Sequence, residues 1–212
     1  KPSVVSPAQP STSVTVPVNV GNTQKITDAK RESISFFGGS GVDIFNCVAP
    51  CKDGGYVASA YSNSYNGSLE GTDKNWAGHG VVVKYDVNGK ELWKYVIGGD
   101  SEVSFTGVTE LKDGTIIAVG YTMSETEAPA RTSSAHSGLI VRLKKTGEVM
   151  WTYVFPGDMS TKGEFLSCVD ATPDGGFVVG GKAISSAGFF KSEKEGIKAF
   201  LIKFDKNCNV KW

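Results

Sequence analysis

Apolar and polar positions along this chain fall into short runs, and one order of runs returns three times. An apolar run over 81–85 carries Lys84, passes through the turn Asp86-Val87-Asn88-Gly89, and leads into a second run opened by Trp93. The same order returns with Arg142, Gly147 and Trp151, and again with Lys203, Cys208 and Trp212. The tryptophans stand about 60 residues apart, a period that marks a repeat architecture. Each copy also holds Asp-Gly between two apolar runs, at Asp53-Gly54, Asp113-Gly114 and Asp174-Gly175. That dipeptide predicts a hairpin, because glycine accepts the positive φ of a tight turn. A third signature, Gly38-Gly39, Gly98-Gly99 and Pro156-Gly157, ends each tryptophan run.

The runs predict four strands per copy, which in the first copy are 44–51, 56–62, 80–86 and 92–97. A long loop separates the second strand from the third. The second strands are small and apolar on both faces, as in Val57-Ala58, Ile117-Ala118 and Val178-Val179. A strand of that kind is sandwiched between neighbouring sheets. No stretch has helical periodicity. The expected fold is all-β, built of β-propeller-type four-stranded blades in three repeats (32–92, 93–150 and 151–212), an incomplete propeller. A β-sandwich is the rival, but it gives no reason for three copies of one four-strand pattern.

Residues 1–31 stand outside the repeat. They are rich in Pro, Ser, Thr and Val, a linker composition, yet Val14, Val16, Val18 and Val20 alternate as in a half-buried strand. Pro17 restricts that strand, 11–20, to a sheet edge. Ile34-Ser35-Phe36-Phe37 reads as a last strand with no blade before it, while the third copy reaches only the first residue of its own last strand at Trp212. The expectation is that 34–37 completes a third copy. That predicts either a two-fold dimer forming a six-bladed ring or further blades of a longer chain.

Charge narrows the partners. Lys plus Arg and Asp plus Glu both number 22, so no basic surface for nucleic acid or anionic membrane is expected. No apolar run approaches the roughly 18–20 residues of a membrane span. The spacing of Cys47, Cys51, Cys168 and Cys208 fits neither a zinc pattern nor a disulfide scaffold. They read as small buried or partly buried thiols, their disulfide status left open.

The ordered set of apolar strand, Lys84, Asp86-x-Asn88-Gly89-x-x-x-Trp93, Gly98-Gly99 and Asp113-Gly114 resembles the repeats of secreted and cell-surface bacterial β-propeller proteins. The resemblance spans about 33–212. The Gly-x-x-x-Trp piece is similar to the tryptophan-docking motif of quinoprotein propellers, in which the indole packs between neighbouring blades. It implies docking roles for Trp93 and Trp151, and for Trp212 less closely, since Cys208 replaces the glycine. That family's adjacent cysteines are absent, so its active site and cofactor are not expected here. The resemblance implies an extracellular or cell-surface location.

The candidate chemistry is sparse. Asp53, Asp113 and Asp174 fall where aspartate bonds its own turn, and Asp86-x-Asn88 and Asp205-x-Asn207 lack the bidentate glutamate of a calcium loop. No metal and no cofactor are expected. His79 and His136 precede the third strands without a nucleophile motif, and read as solvated loop residues. The loops 63–79, 123–137 and 184–198 sit at one end of the blades and carry the ligand-binding candidates Tyr65, Asn66, Trp76, His79, Arg131 and His136. The third of them adds Phe189, Phe190, Lys191 and Lys194. Aromatic rings beside amides suit a carbohydrate or peptide, and the expected role is a non-catalytic binding module. The alternative is a glycosidase- or lyase-type enzyme using Asp43, Asp100, Glu102, Asp158 and Glu164. A structural spacer with no pocket is the third reading.

Overall fold

The computed structural model describes residues 35–125, 130–132, 135–155, 163–184, 188–190 and 196–212. The chain divides into two units, Lys1–Ser35 and Phe36–Trp212. The expected edge strand 11–20 lies outside the described residues. The second unit carries eleven strands and no α-helix among the described residues.

Three antiparallel sheets follow in chain order. The first is β1 (Asp43–Pro50), β2 (Tyr56–Ser62), β3 (Gly78–Tyr85) and β4 (Glu91–Gly99). The second is β5 (Val103–Glu110), β6 (Ile116–Thr122), β7 (Ser137–Leu143) and β8 (Val149–Val154). The third is β9 (Glu164–Ala171), β10 (Phe177–Ala183) and β11 (Lys198–Phe204). Each sheet is a plain meander, as the Asp-Gly hairpins and short turns require. Register repeats as well: β1 shifts between Phe45 and Cys47, and β5 shifts between Phe105 and Gly107.

Strand alternation sends successive side chains to opposite faces, so the middle sheet feeds two cores. One face, with Phe105, Val108, Ala118 and Val141, closes on Val57 and Val82 of the first sheet. The other, with Ile117, Val119 and Ile140, closes on Leu166, Phe177 and Ile202 of the third. Full burial of each Val, Leu, Ile or Phe side chain among them contributes about 1.5–3 kcal/mol. Where backbones approach closely, side chains vanish: a Cβ on Gly120 would stand 1.9 Å from the Ser104 carbonyl oxygen.

The repeated basic residue on each third strand has a structural explanation. Lys84, Arg142 and Lys203 reach back to Asp53, Asp113 and Asp174 at 2.8, 2.8 and 2.9 Å, tying the third strand to the Asp-Gly hairpin. The cations are nearly buried, and a buried cation is tolerated when its donors are taken up. Lys84 also donates to the Tyr85 carbonyl, Arg142 to the Thr115 hydroxyl, and Lys203 to the Phe204 carbonyl. The aspartates simultaneously accept their own turn's N–H, as Asp53 does from Gly55 at 2.9 Å.

Several expectations are corrected. Ser35–Phe37 form no strand. The N–H of Gly38 donates to the Ser68 hydroxyl and that of Gly39 to Asp43, and Phe37 then packs on the first sheet, 5.4 Å from the Phe45 ring. The third sheet holds three strands among the described residues, with a single bridge from Phe204 to Val210. All four cysteines are free thiols, and Cys168 is exposed rather than buried, because it lies on the outer face of the third sheet. Trp93 and Trp151 are half-buried, each packed against one of the two cores between sheets.

Candidate functional site

An antiparallel meander gathers the start of its first strand, the end of its second, the start of its third and the end of its fourth at one end. The 38–42, 63–77 and 100–102 segments and the longer connections after β6 and β10 therefore share an end, opposite the Asp-Gly hairpins. The six expected ligand-binding residues lie in or beside these segments, in differing surroundings.

Tyr65 and Asn66 are exposed, and the Asn66 side-chain oxygen accepts the Ser40 N–H at 2.8 Å. Trp76 is half-buried. Its indole lies on Gly98, where a Cβ would come within 2.4 Å of the ring, and its centroid is 5.7 Å from that of His79. His79 is fully buried within β3 and its Nε2 donates to the Ser64 carbonyl at 2.9 Å. Burial lowers its pKa, partly offset by that hydrogen bond and by Asp43. His136 is buried just before β7, 3.5 Å from the Phe165 ring between centroids. Burial, with Lys182 adding to it, pushes its pKa down to about 4. Neither histidine is a solvated loop residue: both side chains point inward at the strand ends. Arg131 pairs with Glu125. Trp76 and His79 are thus brought together, and His136 belongs to a different neighbourhood.

That neighbourhood is a row the sequence reading passed over. Tyr61, Tyr121 and Lys182 are the penultimate residues of β2, β6 and β10 and occupy equivalent register positions. Glu102 joins the first two. The Tyr121 hydroxyl donates to its Oε1. Burial first, and then Glu102, raises the pKa of both tyrosines. Phe165 joins the next pair. Its ring meets Tyr121 edge-on at 4.8 Å, and the Lys182 ammonium lies 4.6 Å from its centroid, a cation–π contact. The row is aromatic with an acid and an amine along it, and Lys182 is exposed. The available signal was the position just after each small apolar run of the second strands, where Tyr, Tyr and Lys replace the apolar pattern.

The carboxylates proposed for catalysis hold the loops together. Asp43 accepts from the Ser62 and Ser64 hydroxyls at 2.5 and 2.9 Å. Asp100 accepts from the Ser124 hydroxyl and the Glu125 N–H at 2.6 and 2.9 Å. Glu164 is 1% exposed, and Asp158 lies outside the described residues, as do Lys191 and Lys194. Among the described residues no three His, Cys, Asp or Glu side chains group as metal ligands. Phe189 and Phe190 form a 3₁₀ turn whose rings stand 5.3 and 5.1 Å from Phe155. With Trp151, Tyr153 and Val210, Phe155 and Phe189 line an apolar hollow of about 310 Å³ whose lining holds no Asp, Glu, His, Lys or Arg side chain.

The docking tryptophans have a defined geometry. Trp93 Nε1 donates to the Lys145 carbonyl in the β7–β8 turn at 2.9 Å. Its ring rests on Gly147, at φ +88°, where a Cβ would approach to 2.8 Å. Trp151 and Cys208, which lies in the equivalent turn of the third sheet, pack on the same core and line the same hollow, and Cys208 is the only non-glycine residue at positive φ (67°) among the described residues. Trp212 is 65% exposed.

No family model matches the chain, and no curated protein matches it. Among solved structures it is similar to a protein of unknown function from Bacteroides caccae, at 14% identity and a TM-score of 0.40. The match covers 79% of this chain and 44% of that one, so this chain spans under half of that structure's length.

Proposed function

We propose that this chain is a non-catalytic binding module of propeller-type blades that holds a carbohydrate or peptide at the loop end of its sheets. The observation that carries the reading is the row Tyr61, Glu102, Tyr121, Phe165 and Lys182, which runs across all three sheets. Aromatic faces with fixed polar groups between them suit a sugar ring or an extended peptide. The loop carboxylates Asp43 and Asp100 already serve as acceptors for loop hydroxyls and N–H groups, which favours binding over acid–base chemistry. The propeller reading is supported by three meanders stacked face to face and by the tryptophan that reaches from one sheet to the next turn. An extracellular or cell-surface setting follows the resemblance to secreted bacterial propeller repeats.

The test is calorimetric titration against a panel of oligosaccharides and short peptides. For the best ligand, Tyr61→Ala and Lys182→Ala are each expected to weaken binding about tenfold, or about 1.4 kcal/mol. Unchanged affinity in both variants would remove the row from consideration. Cleavage of any panel member would favour the glycosidase or lyase alternative.

A further inference from the structure

Glu102 occupies the short connection between β4 and β5, where the two four-stranded sheets adjoin. Its backbone carbonyl accepts the Met123 N–H at 2.8 Å, which anchors it there. Its side chain is half-buried and accepts the Tyr121 hydroxyl. An ionised carboxylate can accept about four hydrogen bonds and donates none, so acceptor capacity remains. Asp53, Asp113 and Asp174 each hold a lysine or arginine, whereas none among the described residues pairs with Glu102. Lys182, the cation of the row, stands over the Phe165 ring instead. Burial first, and Glu102 second, raise the pKa of both Tyr61 and Tyr121, so the carboxylate charge reaches both hydroxyls. The two rings are held by packing. Tyr61 lies on Gly78, where a Cβ would come within 2.8 Å of the ring, and Tyr121 meets Phe165 edge-on.

We propose that this end of the row takes a lysine or arginine side chain of a peptide ligand, its charged head on Glu102 and its methylene stem along Tyr61 and Tyr121. The inference rests on the row being the ligand site, and it narrows the ligand there to a basic peptide. A carboxylate that no cation of its own chain meets is the complement of one, and charge-assisted hydrogen bonds are about twice as strong as neutral ones. Aromatic faces attract ammonium and guanidinium groups as well. A half-buried acid is reached by a charge carried on a long apolar stem, which lysine and arginine have and a sugar hydroxyl lacks.

Calorimetric titration of the 212-residue chain with capped tripeptides tests this, the central residue being lysine, arginine, norleucine or glutamate between two alanines. The lysine and arginine peptides are expected to bind about tenfold more tightly than the norleucine peptide. Salt at about 1 M should shrink that difference, because it screens the charge. Glu102→Gln keeps an amide oxygen that can accept the Tyr121 hydroxyl. It should abolish the difference while leaving the norleucine affinity and the melting temperature unchanged. Equal affinity of the basic and norleucine peptides overturns the inference, as does no binding of either basic peptide at millimolar concentration. A Glu102→Gln loss shared equally by all the peptides overturns it too. Tightest binding of the glutamate peptide also overturns it, and assigns recognition to Lys182. Where only a neutral oligosaccharide binds and Tyr61→Ala weakens it, the cation is overturned and the row stands. Tyr61→Ala and Lys182→Ala without effect on any ligand remove the row and the inference together.

Discussion

His136 shows how a single buried side chain sets a pH response. Its folded pKa lies near 4, against 6.5 for the free group, because burial disfavours the imidazolium. A base whose pKa is depressed by folding binds more protons when unfolded, so stability rises with pH through that window. The contribution is complete above pH 6.5 and lost as the pH falls towards 4, amounting to about 2 kcal/mol by pH 5. His79 shifts in the same direction. Urea unfolding at pH 7 and pH 5 should show the loss, and His136→Gln should flatten it; an unchanged slope in that variant would assign the effect elsewhere. A comparison of two glycines isolates the tryptophan contact in the same manner. Gly147 and Gly114 share a positive φ, +88° and +83°, but only at Gly147 would a new Cβ strike an indole. Gly114→Ala is expected to cost about 1 kcal/mol for its backbone alone, and Gly147→Ala about 2–3 kcal/mol. Equal costs would mean that Trp93 adds nothing to the docking of the second sheet.

Strands and hairpins were legible in the sequence because their signals are local. Strand 44–51 was expected and Asp43–Pro50 is found; 56–62 was expected and Tyr56–Ser62 is found. The strand expected at 34–37 failed because its apolar pattern says nothing of the Gly38 and Gly39 hydrogen bonds that lay Phe37 onto the first sheet. The repeated basic residue was visible, but its partner was not, since Lys84 and Asp53 lie 31 positions apart. The row of Tyr61, Tyr121 and Lys182 was hidden for the same reason, as it exists only once three sheets are stacked. The ion pairs themselves make an element-scale prediction. Asp53, Asp113 and Asp174 are held below the usual carboxylate range by hydrogen bonds and by their cations, with burial opposing this, most strongly at Asp113. Carboxyls of lowered pKa stabilise the fold above their unfolded pKa and cease to do so as pH falls through the folded one. A second loss of stability is therefore expected below about pH 4. Asp113→Asn should also lower the melting temperature more than Glu148→Gln does. The pair of Glu148 with Lys144 is exposed on both sides, and such pairs are worth about 0–1 kcal/mol. Equal shifts would show that the clip from Arg142 to its hairpin contributes no more than a surface pair.

The molecule as a whole is graded in order of covering. Every residue of β7 is buried, and β6 is buried on both faces except at Tyr121. In the third sheet only two of the seven residues of β11, Ile202 and Phe204, are buried. Amide exchange from a packed element requires an opening whose free energy approaches that of global unfolding, while lightly covered elements open at much smaller cost. The chain should therefore exchange slowest in β6 and β7, and fastest in the Lys198–Phe204 strand, as read by mass spectrometry of peptic fragments. Uniform exchange across the three sheets would show that they open as one cooperative unit despite their unequal covering. It would also place the stabilising energy in the two shared cores rather than in the middle sheet.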